Sequence, residues 1–177
     1  MDQQANSILA ELEFAAGEGA LRFKGVRYLL IRPETLAAWQ AALEAELGAE
    51  RAGELVYAGG FSGGQLSGRR YRDALGLSAA EAVAFMCRMG GEIGWGRFTL
   101  VHFAPEAATL EVAVHASPFA AAHGPAGQGV CHLIRGVLGG LVAGLCAVDV
   151  VAREEACAAR GDPECRFHVA GVPVDPA

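Results

Sequence analysis

The residues best suited to chemistry stand near the C-terminal end, in Glu154-Glu155-Ala156-Cys157 and Arg160-Gly161-Asp162-Pro163-Glu164-Cys165. A carboxylate and a thiol lie three residues apart, and a second thiol follows eight residues later. Gly161 and Pro163 turn the intervening polar loop back on itself, which brings Cys157 and Cys165 together as a metal clip or a disulfide requires. Cys131, in Gly129-Val130-Cys131-His132, offers a further ligand from a separate element. Three thiolates with one carboxylate or imidazole make the closed tetrahedral set that zinc prefers in structural sites. Glu154 is the carboxylate we assign; Glu155 beside it is a rival, and His168 and His132 are weaker ones. Cys87 and Cys146 stand in apolar surroundings and read as packing residues. A closed site of this kind fixes a fold, so function has to be sought in whatever cavity the clip helps to close.

The composition limits the choices. The length of 177 residues suits one domain with a real core, and a hydrophobic share of 53% excludes a disordered chain. Fourteen basic against twenty acidic residues, with no basic run longer than Arg69-Arg70, disfavour a nucleic-acid partner. The polar start Met1-Asp2-Gln3-Gln4 does not resemble a signal peptide. The longest apolar run, Val137 to Val148, is well short of the roughly 20 residues of a membrane span, so a cytoplasmic protein is expected. Five cysteines in that compartment favour metal binding or free thiols over disulfides.

The elements that must hold these residues can be read from periodicity. Leu21, Phe23, Val26, Tyr28, Leu29 and Ile31 mark strands or a hairpin around Gly25. Pro33 opens a helix to about Leu47 with Leu36, Trp39, Ala42, Leu43 and Leu47 on one stripe. A second helical stretch, Ala52 to Leu75, is expected to be loosened by Gly59-Gly60 and Gly63-Gly64. Ser78 and Glu81 have capping-box spacing before a helix carrying Val83, Phe85, Met86 and Met89 that should end at Gly90-Gly91. Trp95 to Phe103 and Thr109 to His115 read as a strand pair across Ala104-Pro105-Glu106-Ala107. A helix from about Gly127 to Leu145 and strands Val148–Arg153 and Arg166–Val169 complete the order, which favours an α+β fold over a doubly wound sheet.

No cofactor fingerprint accompanies these elements. Gly59-Gly60-Phe61-Ser62-Gly63-Gly64 follows no strand and precedes no Lys-Ser/Thr pair, so it is no P-loop. Gly90-Gly91-Glu92-Ile93-Gly94-Trp95-Gly96 runs from helix to strand, the reverse of dinucleotide-binding order. Gly136, Gly140 and Gly144 recur every four residues, which suits close helix packing first and a flat ligand second. His102 shares the parity of Phe98 and Leu100 and is expected to point inward, as a core histidine or as a polar anchor in a pocket.

From Gly127 to Val169 the chain resembles the 4-vinyl-reductase domain family, known from bacteriochlorophyll biosynthesis and from the sensory domains of bacterial phenol and xylene regulators. Cys131, the glycine-bearing helix after it, Glu154-x-x-Cys157, Gly161-Asp162 and Cys165-Arg166-Phe167 carry the resemblance. The opening Gly25-Val26-Arg27-Tyr28 before a helix is also similar to the family. The resemblance implies a two-layer α/β plait similar to transport-particle subunits, a structural zinc clip held by Cys131, Glu154, Cys157 and Cys165, a planar hydrophobic ligand and a homodimer. It places a single ligand-binding domain over residues 21–171, after an N-terminal extension with the first strand (1–20) and before a tail (172–177). Where the sensors carry an aromatic residue just before the metal-site glutamate, this chain has Val150-Val151-Ala152-Arg153. The sensors also continue into ATPase and DNA-binding domains, whereas this sequence stops at Ala177.

These departures favour a stand-alone zinc-containing carrier for a magnesium porphyrin intermediate of bacteriochlorophyll synthesis, with pigment-biosynthesis enzymes as possible partners. Its ligand pocket is expected to be lined by Phe85, Met89, Trp95, Phe98, His102 and Phe119, with room over Gly136 and Gly140. The alternatives are an 8-vinyl reductase of divinyl chlorophyllide, disfavoured by the missing nucleotide fingerprint, and a sensor or adaptor for small aromatic molecules. A dimer surface is expected on the helix bearing Trp39.

Overall fold

Alternating apolar residues build the sheet on which the rest of the chain is laid. The computed structural model describes residues 6–172, so the first residues of the expected N-terminal extension and all but Val172 of the expected tail lie outside the described part. Strands β4 (Arg97–Ala104), β5 (Thr109–His115), β6 (Val150–Ala156) and β7 (Cys165–Gly171) form an antiparallel sheet in the order β4-β5-β7-β6. Leu110, Val112 and Val114 of β5 and Cys165, Phe167 and Val169 of β7 are buried on one face, as period-two patterning requires. The opposite face is polar: Glu111 lies opposite His168, which in turn lies opposite Arg153.

Helices α4 (Ala79–Glu92) and α6 (His132–Cys146) cover the buried face. Ser78 and Glu81 form the expected capping box at the start of α4. Beyond Arg135 helix α6 is apolar on every face, because it is enclosed on both sides, by the sheet and by α3 (Ala49–Asp73). The α3 glycines do not loosen that helix, contrary to the sequence expectation; α3 runs unbroken for 25 residues. Gly60, Gly64 and Gly68 are buried against α6, while Gly136, Gly140 and Gly144 face the α3 backbone in return. A side chain at Gly140 would collide with the Phe61 carbonyl oxygen and one at Gly64 with that of Val137. Glycine here allows two backbones to approach closely, which outweighs its poor helix propensity.

The N-terminal segment forms α1 (Ser7–Ala10) and a separate antiparallel sheet of β1 (Glu13–Ala15), β2 (Ala20–Phe23) and β3 (Val26–Tyr28), turned at Gly25 with a φ of +75°. Asn6 and Ser7 tie this segment to Glu92 at the end of α4. Helix α2 (Pro33–Leu47) then packs on α3 and on the short α5 (Pro118–His123), an element not anticipated from the sequence. The α+β class is as expected. The helix expected from Gly127 begins instead at His132, directly after Cys131.

Candidate metal centre and ligand cavities

The four residues of the expected clip converge. One ligand atom from each of Cys131, Glu154, Cys157 and Cys165 lies within 4.8 Å of all the others, and the three cysteines are buried. Cys131 arrives from the start of α6, Glu154 from β6, Cys157 from the turn after β6 and Cys165 from the start of β7. The strand alternation that buries Ala152 also turns Glu154 inward and leaves Glu155 exposed, which decides between the two carboxylates. His168 stands on the outer sheet face opposite Arg153, and His132 is not in the ligand cluster.

Local hydrogen bonds hold this geometry. Asp162 accepts from the Cys157 amide at 2.7 Å and pairs with Arg160 at 2.8 Å, while Gly161 takes a φ of +93° that a side chain would resist. The Ala158 amide donates to the Cys165 sulfur at 3.4 Å. Glu154 Oε2 accepts from the Cys131 amide at 3.0 Å, and Gly129 leaves room for that carboxylate.

Two observations test whether these groups fit a metal. Glu154 Oε1 is buried and has no hydrogen-bond partner among the described residues. The Cys131 and Cys165 sulfurs are 3.7 Å apart, close to the ~3.8 Å separating corners of a tetrahedron with metal–sulfur bonds of about 2.3 Å. Without a cation the cluster is electrostatically unfavourable. Burial, followed by the Cys157 thiol, pushes the Glu154 carboxyl up to about 8. Cys131 is pushed far above the ordinary thiol range by its sulfur neighbours and by burial. Cys165, accepting hydrogen bonds from the other two thiols, is drawn down to about 3. Packed this closely, the ligands penalise one another's charged forms, and a dication would relieve that conflict by favouring the charged form of every ligand. The residues fit a closed metal clip.

The expected ligand residues divide. Phe85 and Met89 line a cavity of about 160 Å³ between the N-terminal hairpin, α3 and α4. Its other aromatic walls are Phe23, Tyr28 and Tyr71, and Lys24 and Arg70 border it. Phe85 stacks on Phe23 at 6.4 Å and meets Tyr71 edge-on at 4.9 Å. Phe119 lines a second cavity of about 270 Å³ under α2, with Trp39, Leu36, Val56 and Leu133 among its walls. Trp95 and Phe98 border neither: Trp95 packs edge-on against Phe119 at 5.3 Å, and the Phe98 ring covers Gly90.

His102 is exposed rather than inward, because β4 is irregular between Leu100 and His102 and loses its parity there. Gly136 and Gly140 offer no room for a macrocycle, since the α3 backbone fills the space above them. Sequence reasoning missed Phe23, Tyr28, Arg70 and Tyr71 as walls of this cavity. The available signal was that two of the chain's three tyrosines flank the helix stripe of Phe85 and Met89 in the fold.

Residues 110–170, which hold all four clip residues, match the family model of the 4-vinyl-reductase domain. Residues 7–81 match a second family, described as activator of aromatic catabolism. No curated protein sequence matches. Among solved structures, the phenol-responsive sensory domain of the transcription activator PoxR, crystallised with phenol, superposes with a TM-score of 0.81 at 24% identity, over 93% of this chain and 86% of that one. A trafficking protein particle complex subunit 3 from Naegleria fowleri, covalently bound to palmitic acid, gives a TM-score of 0.58 at 12% identity, over 80% and 95%. A vinyl-4-reductase family protein from Methanocaldococcus jannaschii gives 0.56 at 12% identity, over 82% and 85%. These likenesses establish the fold, which is that of the transport-particle subunits and of the 4-vinyl-reductase proteins.

Proposed function

We propose that this chain is a small-molecule sensory module whose ligand is a single-ring aromatic compound held among Phe23, Tyr28, Tyr71, Phe85 and Met89. The size of that cavity carries the reading. Its volume of about 160 Å³ is close to the ~150 Å³ of an apolar engineered cavity known to admit benzene. A porphyrin carries four pyrrole rings and their bridges, and neither described cavity approaches that size. The small-aromatic alternative therefore takes the place of the porphyrin carrier. The match of residues 7–81 to activators of aromatic catabolism and the phenol-bound structural relative support the same choice. Aromatic walls with a few convergent polar groups are the usual make-up of such a site.

The clip is assigned zinc on its donor set, three soft thiolates and one carboxylate with no open position, and its task is to fasten α6 to β6 and β7. The surface of α2 bearing Trp39, a residue 61% exposed, is assigned to a homodimer contact. Thermal unfolding with added ligand tests the central assignment. Toluene, phenol and benzoate should between them raise Tm in a concentration-dependent way, while magnesium protoporphyrin should not. Stabilisation by the porphyrin alone would return the pigment-carrier reading.

A further inference from the structure

The side chains that bring polarity to the aromatic cavity are donors short of acceptors. The Tyr71 hydroxyl reaches Met89 Sδ at 3.5 Å, and the Tyr28 hydroxyl reaches the same sulfur at 4.0 Å. A thioether accepts weakly, and a buried tyrosine hydroxyl ordinarily finds a full partner. The Ser67 hydroxyl donates to the Gly63 carbonyl at 3.0 Å, which leaves one neutral hydroxyl oxygen as acceptor for several donors. At the border, Lys24 is neutralised by Glu11 at 2.6 Å. Arg70 donates to the Lys24 carbonyl and makes no ion pair among the described residues. Among the described residues no aspartate or glutamate lines the cavity. Burial raises the pKa of both tyrosines, so both are protonated donors at neutral pH, and the Arg70 charge acts on each of them. Tyr28, Tyr71 and Arg70 line the same cavity.

A ring that brings only a hydroxyl offers one neutral acceptor oxygen, adds a further donor and leaves the guanidinium charge unmatched. A ring that brings two acceptor oxygens and a negative charge satisfies both tyrosines and the guanidinium. We propose that the cavity selects an aryl carboxylate, its ring among Phe23, Phe85 and Met89 and its carboxylate turned to Tyr28, Tyr71 and Arg70. The inference rests on the single-ring reading of this cavity and specifies the ring's substituent. Arginine suits the task because its planar fork meets a carboxylate with two parallel hydrogen bonds.

Calorimetric titration at neutral pH with benzoate, nitrobenzene, phenol and toluene tests it. Benzoate should bind at least about tenfold more tightly than phenol or toluene, and its affinity should fall as salt is raised. Arg70→Gln should weaken benzoate by about tenfold and leave nitrobenzene and toluene unchanged, which also checks that the hairpin turn held by Arg70 survives. Tyr71→Phe should weaken benzoate and nitrobenzene together but spare toluene. Phenol or toluene binding as tightly as benzoate would overturn the carboxylate while leaving the single-ring cavity standing. Failure of all four to bind would overturn the ring reading and this inference with it.

Discussion

Glu154 and Glu155 are neighbours with the same side chain and opposite fates. Glu154 turns into the clip because Ala152, two residues earlier on the same strand face, is buried, while Arg153 and Glu155 face solvent. The spacing of Glu154, Cys157 and Cys165 made the clip legible before any fold was known, because the loop between the thiols has to turn. The choice of carboxylate was not legible, since parity along β6 is set by pairing with β7. Cys157→Ser or Cys165→Ser should release the metal and lower Tm, and Glu154→Ala should weaken metal binding. Glu155→Ala should do neither; metal content by atomic emission with a parallel melt would show it. His132 gives a second prediction. Both of its ring nitrogens are buried without partners among the described residues, and burial depresses its pKa from 6.5 to about 4. The unfolded chain therefore takes up a proton that the folded one refuses, so its contribution to stability is lost as pH falls from about 6.5 towards 4. Replacing His132 with Leu should flatten the stability–pH curve there by up to about 1.4 kcal/mol per pH unit, measured by urea unfolding at stepped pH.

At the scale of elements, the pair α3–α6 decides how the molecule is built. The glycines of α6 were read as a close-packing face, which they are. Those of α3 were read as breaks, because propensity alone cannot reveal that a second helix will lie against Gly60, Gly64 and Gly68. The pairing also removed the space above Gly136 and Gly140 that the sequence had suggested for a macrocycle. A contrast follows between two glycines. Gly63 faces open space, so Gly63→Ala should stabilise the protein by about 0.5–1 kcal/mol. Gly140→Ala drives a methyl group into the α3 backbone and should cost about 1–3 kcal/mol. Paired thermal melts would show opposite shifts. Strand β4 taught the complementary lesson: alternation predicted His102 inside, and a single irregularity after Leu100 put it outside.

For the whole molecule, the two sequence matches meet in one object. The segment matching the 4-vinyl-reductase domain holds the four clip residues, and the aromatic cavity is closed by the N-terminal hairpin and α3 against α4. The fold class and most element types were legible, since each is a local pattern. The cavity was only half legible, through Phe85 and Met89, because its other walls come from segments distant in sequence. Assembly gives one prediction here: light scattering at micromolar concentration should report a dimer, and Trp39→Glu should shift it to monomer. Occupancy of this cavity by a single aromatic ring can be read from the methionine methyl resonances of the protein. The chain has three methionines; Met89 lines the cavity, and Met86 on the same helix does not. On titration of ¹³C-methyl-methionine protein with benzoate, the ring current should move the Met89 methyl signal saturably and leave that of Met86 in place. A Met89 signal that stays fixed while the ligand binds, or one that moves only with magnesium protoporphyrin, would contradict the account.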